Sequence, residues 1–238
     1  MNQLFIRKAH RWLGTFAALQ LLIWTGSGLF FAISPIDDIR GSHLTSPSAS
    51  LRLGHVQLIS PSNLVKYNKE LAMVSLKHIK ISQRLHTPVY IINAEEQKLV
   101  FNAETGEKLT LLNQMQAEAI ATNNTTRAIL SSTLIKTVQR DSEYRDGELP
   151  AWKIKLEGPE HPNLWIGANS GRVNAIRTTN WRIYDFLWSL HIMDYVERKN
   201  FNSWLLKGFA LLGLITILSG VFLLIPHTLF KKKTPASR

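Results

Sequence analysis

The chain contains no cysteine. That absence removes disulfide bonds, cysteine-held iron–sulfur clusters, thiolate nucleophiles and cysteine zinc sites, and it leaves the redox compartment open. Acidic residues are also scarce, 17 against 28 Lys and Arg, for a formal net charge of +11. The surplus is not where nucleic acid would need it. Arg7, Lys8 and Arg11 carry +3 near the N-terminus, and Lys231, Lys232, Lys233 and Arg238 carry +4 near the C-terminus; 11 − 7 leaves +4 for everything between. With no cationic stripe in the middle of the chain, no nucleic-acid partner is expected. Catalytic signatures are missing too: there is no G-x-S-x-G, no P-loop, no HExxH, and no G-x-G-x-x-G opening a helix after a strand. "GSG" at Gly26–Gly28 lies inside an apolar run and has no third glycine in register, while Asp37–Asp38 and Glu95–Glu96 sit in loop-like stretches. Hydrolytic and group-transfer chemistry have no support.

What the chain does have is two long apolar runs. Leu13 to Ile33 is 21 residues without a charge, and Leu205 to Ile225 is broken only by Lys207 near its start. About 20 such residues cross the hydrocarbon core of a bilayer. The first run exceeds the 7–15 residues of a signal-peptide h-region, and Pro35 follows "AIS" where a cleavage site would be sought, so it reads as an uncleaved anchor. Lys207 can snorkel to the interface. Basic clusters flank the outer ends of both runs, which by the positive-inside rule expects both termini in the cytoplasm, in contact with membrane lipid, and the central domain on the other side. In a Gram-negative cell that is the periplasm. Small residues recur on each run: Gly14 and Ala18, Thr216 and Gly220, and "SGLF" at Ser27–Phe30 echoed by "SGVF" at Ser219–Phe222. Small-xxx-small faces let helices approach closely, within one chain or in a dimer.

Between the runs the sequence has an internal plan used twice. "TPVYIINAEEQKLVFNAETGEKL" (87–109) and "LPAWKIKLEGPEHPNLWIGANSGRVNAI" (149–176) each open near a proline and alternate apolar with polar residues. Each then turns and ends in x-[ST]-G-x. This is strand and hairpin chemistry, with Gly106 and Gly171 at turns that need a glycine conformation. "SPSNLVKYN" from Ser60 has a helix-start pattern and precedes the strand-like "AMVSLKHIKIS". "NQMQAEAIATN" is helical and precedes the strand-like "ILSSTLIKTVQR". Helix, strand and hairpin, twice over, predicts an α+β domain. The expected organisation is a cytoplasmic N-terminus (1–12), a transmembrane helix (13–33), a linker (34–55), two repeats (56–112 and 113–178), an interfacial aromatic helix (179–200), a second transmembrane helix (204–226) and a basic cytoplasmic tail (227–238).

The chain resembles PepSY-domain proteins with PepSY-associated transmembrane helices. The resemblance is carried by "KAHRWLGTFAALQLLIWTGSGLFF" (8–31), by the hairpins ending "AETGEKL" and "ANSGRV", and by "LHIMDYVERKNFNSWLL" (190–206). It implies an α+β membrane protein: two transmembrane helices flanking a periplasmic domain of two PepSY-like repeats, each a helix plus an antiparallel sheet, in a bacterial inner membrane. Larger relatives with four or more spans include haem-binding ferric or ferrisiderophore reductases, in which helix-end histidines hold haem. The matching positions are His10 and His191. This chain has only two runs and no flavin- or nucleotide-binding module. The resemblance therefore implies a b-type haem electron-transfer subunit that works as a homodimer or with a partner membrane or redox protein. PepSY domains also occur in protease propeptides, so the alternative is a non-enzymatic module that binds a peptide or a partner protein and regulates a peptidase.

Spacing adds to this. Trp181, Tyr184, Trp188, His191 and Tyr195 recur at three- and four-residue intervals, an aromatic helical stripe with a histidine at its centre. Gly14 lies one turn after His10, which leaves that face bare. His10 and His191 are expected at opposite faces of the membrane, about 30 Å apart, so they cannot ligate one haem. The candidate second ligands are His227 or a second subunit's His10 on the inner side, and His43, Met193 or a second His191 on the outer side. Asp185 and Asp194 are the expected acceptors for the His191 ring. His55, His78, His86 and His161 match no zinc spacing and read as surface or turn residues.

Overall fold

The computed structural model describes residues 3–46, 54, 56–73, 78–93 and 98–229. In chain order the elements are α1 (Gln3–Ile33), α2 (Ile36–Ile39), α3 (Pro61–Tyr67), β1 (His78–Arg84), β2 (Thr87–Asn93), β3 (Lys98–Asn102), α4 (Gln114–Asn124), β4 (Ile129–Ile135), β5 (Ala151–Leu156), β6 (Asn163–Gly167), β7 (Val173–Arg177), α5 (Thr179–Ile192) and α6 (Trp204–Leu229). The protein is α+β, with two antiparallel sheets. The chain divides into two compact units, residues 1–34 with 184–238, and residues 35–183.

The helical unit is built on α1 and α6, both long and apolar enough to cross a membrane. They run antiparallel. A Cβ at Gly14 would meet Thr216 at 4.0 Å, and one at Gly220 would meet His10, so position rises on one helix as it falls on the other. On α1 the least exposed residues include His10, Leu13, Ala17, Gln20, Trp24, Ser27 and Phe31. Their alternating steps of three and four make a narrow seam of the coiled-coil kind, while Phe16, Leu19, Leu22 and Leu29 face outward. α1 starts well before the charge-free run, so His10 stands within the helix and not at its end. α6 likewise continues through Pro226 to Leu229. The basic tail from 230 onward lies outside the described residues.

The unit of residues 35–183 holds the sheets, ordered β1-β2-β3 and β4-β5-β6-β7, each with every pairing antiparallel. α3 starts at Ser60, whose side chain accepts from Asn63 N, with Pro61 at the first helical position. Its Leu64 packs with Tyr90, Ile92, Leu99 and Phe101. α4 starts with a capping box between Asn113 and Gln116, and its Ala117, Ile120 and Ala121 pack on Trp152, Ile154, Leu164 and Ile166. Fully burying each such large apolar side chain contributes roughly 1.5–3 kcal/mol. Both sheets end in the same turn. Gly106 N–H donates to Asn102 O and Gly171 N–H to Gly167 O, both at 2.9 Å, with φ of 78° and 69°. The strand that follows is full in the second sheet (β7) but shrinks in the first to one bridge, Phe101 to Lys108.

Three expectations are corrected here. The helix expected over 179–200 does not extend to residue 200: α5 ends at Ile192, where Met193 adopts φ 53° and the Asp194 carboxylate gathers the backbone N–H groups that follow. The start of the linker is structured. α2 and a short 3₁₀ turn at Ser42–Leu44 bury Ile39 and Leu44, the latter in the core of the second sheet. Finally, "KTVQR" does not continue β4 but opens a long connection to β5. Its Tyr144 stacks on Trp165 (4.4 Å, 3°), covering the face of the sheet opposite α4. Residues 94–97, with Glu95 and Glu96, and His55 lie outside the described residues.

Candidate functional site

In the helical unit His10 and His191 are each held by a serine. Ser27 Oγ lies 2.8 Å from Nδ1 of His191. Ser219 Oγ lies 2.7 Å from Nδ1 of His10. The glycine after each serine faces the same ring: a Cβ on Gly28 would be 3.9 Å from His191 Cε1, and one on Gly220 would be 3.1 Å from His10 Cε1. The "SGLF" and "SGVF" echo is therefore two copies of one local arrangement, each Ser-Gly pair supporting a histidine from a different segment. Both rings are partly exposed, and among the described residues neither Nε2 has a hydrogen-bond partner. Ser27 follows His10 by 17 residues on α1, so the two rings stand about 25 Å apart along the helix axis.

The environment of His191 is aromatic. Trp24 Nε1–H donates to the His191 carbonyl at 2.7 Å. Phe31 meets the ring edge-on at 5.5 Å and itself lies 4.6 Å from the tilted ring of Tyr184, and Trp188 lies parallel to the imidazole at 6.4 Å. The aromatic stripe of α5 thus packs on Phe30 and Phe31 of α1 from Tyr184 onward. Trp181, the stripe's first member, is instead covered by Arg177 at 4.1 Å and Arg145 at 5.8 Å. Tyr195 is past the helix end and exposed.

The two carboxylates expected to hold the His191 ring do other work. Asp185 is buried and pairs with Arg198, and the backbone carbonyl of Arg198 accepts from Trp188 Nε1 at 3.1 Å. Asp194 closes the turn after α5: Oδ1 accepts from Val196 N and Glu197 N, and Oδ2 from Lys199 N and Asn200 N. Burial alone would raise its pKa, but these backbone donors together hold it below the ordinary aspartate value. Sequence reasoning missed the serines because both lie in apolar runs, where small residues read as packing. The repeated Ser-Gly pair was the available signal.

The other expected ligands in this chain are His43, His227 and Met193. His43 pairs with Glu160 at 2.9 Å in the sheet unit. His227 is on α6, eight residues beyond Ser219, or about 12 Å further along the axis; its side chain lies outside the described residues. Met193 is buried. His78, His86 and His161 are exposed, and among the described residues no group of three or more His, Asp or Glu could hold a metal ion.

The sheet unit contains a cleft of about 350 Å³ lined by Glu143, Glu148, Lys98, Asn174 and Arg177, among others. Its two glutamates are committed to structure. Glu143 accepts from Asn163 Nδ2 and Trp165 Nε1 and pairs with Arg182 Nε at 2.9 Å. Glu148 Oε1 accepts from Asn169 N (3.1 Å) and Ser170 N (2.9 Å), and Oε2 from Lys98 Nζ (2.9 Å). Glu148 thereby ties the second sheet's glycine turn to β3 of the first sheet.

Comparison of the chain with models of protein families, with curated proteins and with solved structures found no match.

Proposed function

We propose that this chain is a bacterial inner-membrane protein of the PepSY kind, a haem-binding electron-transfer subunit linked to ferric or ferrisiderophore reduction. In this reading α1 and α6 cross the bilayer, both termini are cytoplasmic, and the two helix-plus-sheet halves are PepSY-like repeats in the periplasm. The observation that carries it is the state of the two imidazoles. Each uses Nδ1 within the protein and leaves Nε2 without a partner among the described residues, next to a glycine, and the two rings are about 25 Å apart along the axis of α1. Such rings could hold a haem through Nε2, and the haem when bound would supply one-electron chemistry on either side of the membrane. His10 would serve the inner side and His191 the outer. The aromatic rings of Phe31, Trp188 and Trp24 pack around His191 and would lower the dielectric on that side of the ring. Each ring supplies one ligand, so a second would come from another copy of the chain or from a partner membrane protein, with His227 a further candidate on the inner side. The electron donor would come from elsewhere, and the acceptor would be periplasmic iron or another acceptor.

The test is the absorption spectrum of protein made with ample haem and purified in mild detergent. The expected result is a Soret band that His10→Ala and His191→Ala each reduce. Colourless wild-type protein would reject the reading, and labelling of either terminus from outside the cell would reject the sidedness.

A second reading, a peptide- or partner-binding module regulating a peptidase, draws on one observation. β1 is an edge strand with Ile79 and Ile81 37% and 44% exposed. An extended segment could add to that edge by backbone hydrogen bonds. Ile81→Lys should then abolish capture of a partner that the wild-type chain retains, whereas equal capture by both would discard this use of the edge.

A further inference from the structure

We infer that Ser27 and Ser219 are positioning residues that set the tautomer of His191 and His10, so that each ring turns a bare Nε2 lone pair toward iron. The inference rests on the haem reading for its purpose, though its geometry stands apart from it. A serine hydroxyl has one proton and two lone pairs. Ser27 Oγ lies 2.7 Å from Ile23 O and 3.2 Å from Trp24 O. A carbonyl oxygen has no proton, and two oxygens approach to 2.7 Å only with a proton between them, so the hydroxyl proton of Ser27 is spent on its own helix. The 2.8 Å contact to His191 then needs its proton from the imidazole: Nδ1–H donates to Ser27 Oγ. In the neutral ring this leaves Nε2 as the lone pair. Ser219 repeats the logic. Its hydroxyl donates to Thr216 O at 2.8 Å, so the 2.7 Å contact is Nδ1–H of His10 donating to Ser219 Oγ.

The two locks are crossed. A serine of α1 holds the histidine of α5, and a serine of α6 holds the histidine of α1, so formation of both depends on the helices being assembled. The nature of the acceptor also matters. A carboxylate behind an imidazole makes it a more basic ligand, which favours oxidised iron; a hydroxyl already donating elsewhere does so much less. Asp185 and Asp194, the nearby carboxylates on the α5 side, are committed to Arg198 and to the turn. Serine-backed rings should therefore hold haem at a higher potential than carboxylate-backed ones.

The experiment uses the full chain in detergent with ¹⁵N-labelled histidine, read first without haem and then through titration with haem b. In the haem-free protein both His10 and His191 should show protonated Nδ1 and unprotonated Nε2. Ser27→Ala should change only His191 and Ser219→Ala only His10, while Ser→Thr at either position should keep the wild-type pattern. Haem retention at the affected site should fall about ten- to a hundredfold in the alanine variants and stay within threefold in the threonine variants. Ser27→Asp should lower the midpoint potential of the haem at His191. Nε2–H rings in the wild type, or alanine variants with unchanged tautomer, would overturn the inference. Nδ1–H rings in a wild type that takes up no haem would uphold the tautomer setting and defeat the haem reading.

Discussion

Glu148 should be the most costly single carboxylate to remove from the sheet unit. Its side chain is 6% exposed, and two of its partners are the backbone N–H groups of Asn169 and Ser170 in the Gly167–Gly171 turn. Arg84 of β1 is itself buried, its Nη1 has no hydrogen-bond partner among the described residues, and burial holds its pKa below the ordinary arginine value against the opposing charge of Glu148. Glu148→Ala would leave two turn N–H groups without acceptors, about 1–3 kcal/mol each, and remove the negative charge that opposes the burial of Arg84. These terms overlap because they share one carboxylate, so the net expectation stays at about 4 kcal/mol, the middle of the range for the two N–H groups. The Lys98 contact adds little: with its side chain 32% exposed, its share falls below about 1 kcal/mol after solvent screening. Since about 1.4 kcal/mol is tenfold, native-state amide exchange across β6, the turn and β7 should accelerate about a thousandfold in Glu148→Ala, and less than about fivefold in Lys98→Met. Exchange in Glu148→Ala within threefold of wild type would refute the view that this carboxylate holds the Gly167–Gly171 turn.

Two further outcomes follow from named contacts. Gly220→Ala should push the His10 ring, because its new Cβ would lie 3.1 Å from Cε1, and should weaken haem retention on that side about tenfold; Gly28→Ala, at 3.9 Å from His191, should be near wild type. Haem titration of the two variants in detergent checks this contrast. For Asp194 the folded pKa lies below the unfolded value of about 3.9, so its stabilisation is full above that value and is lost as pH falls through the folded one. Amide protection over residues 196–200 should therefore be flat from neutral pH down to about 5 and decline only below about 4, and Asp194→Asn should lower it throughout.

Much of the fold was legible because its signals are local. Hydropathy over 20 residues marked α1 and α6, the Ser-Pro-Ser pattern marked the start of α3, "NQMQAEAIATN" read as the helix α4, and strand and hairpin chemistry marked β2, β3, β5 and β6. The end of α5 was not legible. Its stop is set by Asp194 reaching up to six residues forward, and the helical spacing of the aromatics gave no warning. Nor was the covering of Trp165 by Tyr144, which depends on where a long connection folds back.

Sequence alone determined two helices long enough for a bilayer and an α+β domain between them, with His10 and His191 far apart, since length, composition and periodicity act over short stretches of chain. Only the tertiary structure decided what each histidine touches. Ser27 is 164 residues from His191, and Ser219 is 209 from His10. A hydroxyl's role depends on where its one proton goes, and that follows from distances to a carbonyl and an imidazole that no local pattern encodes.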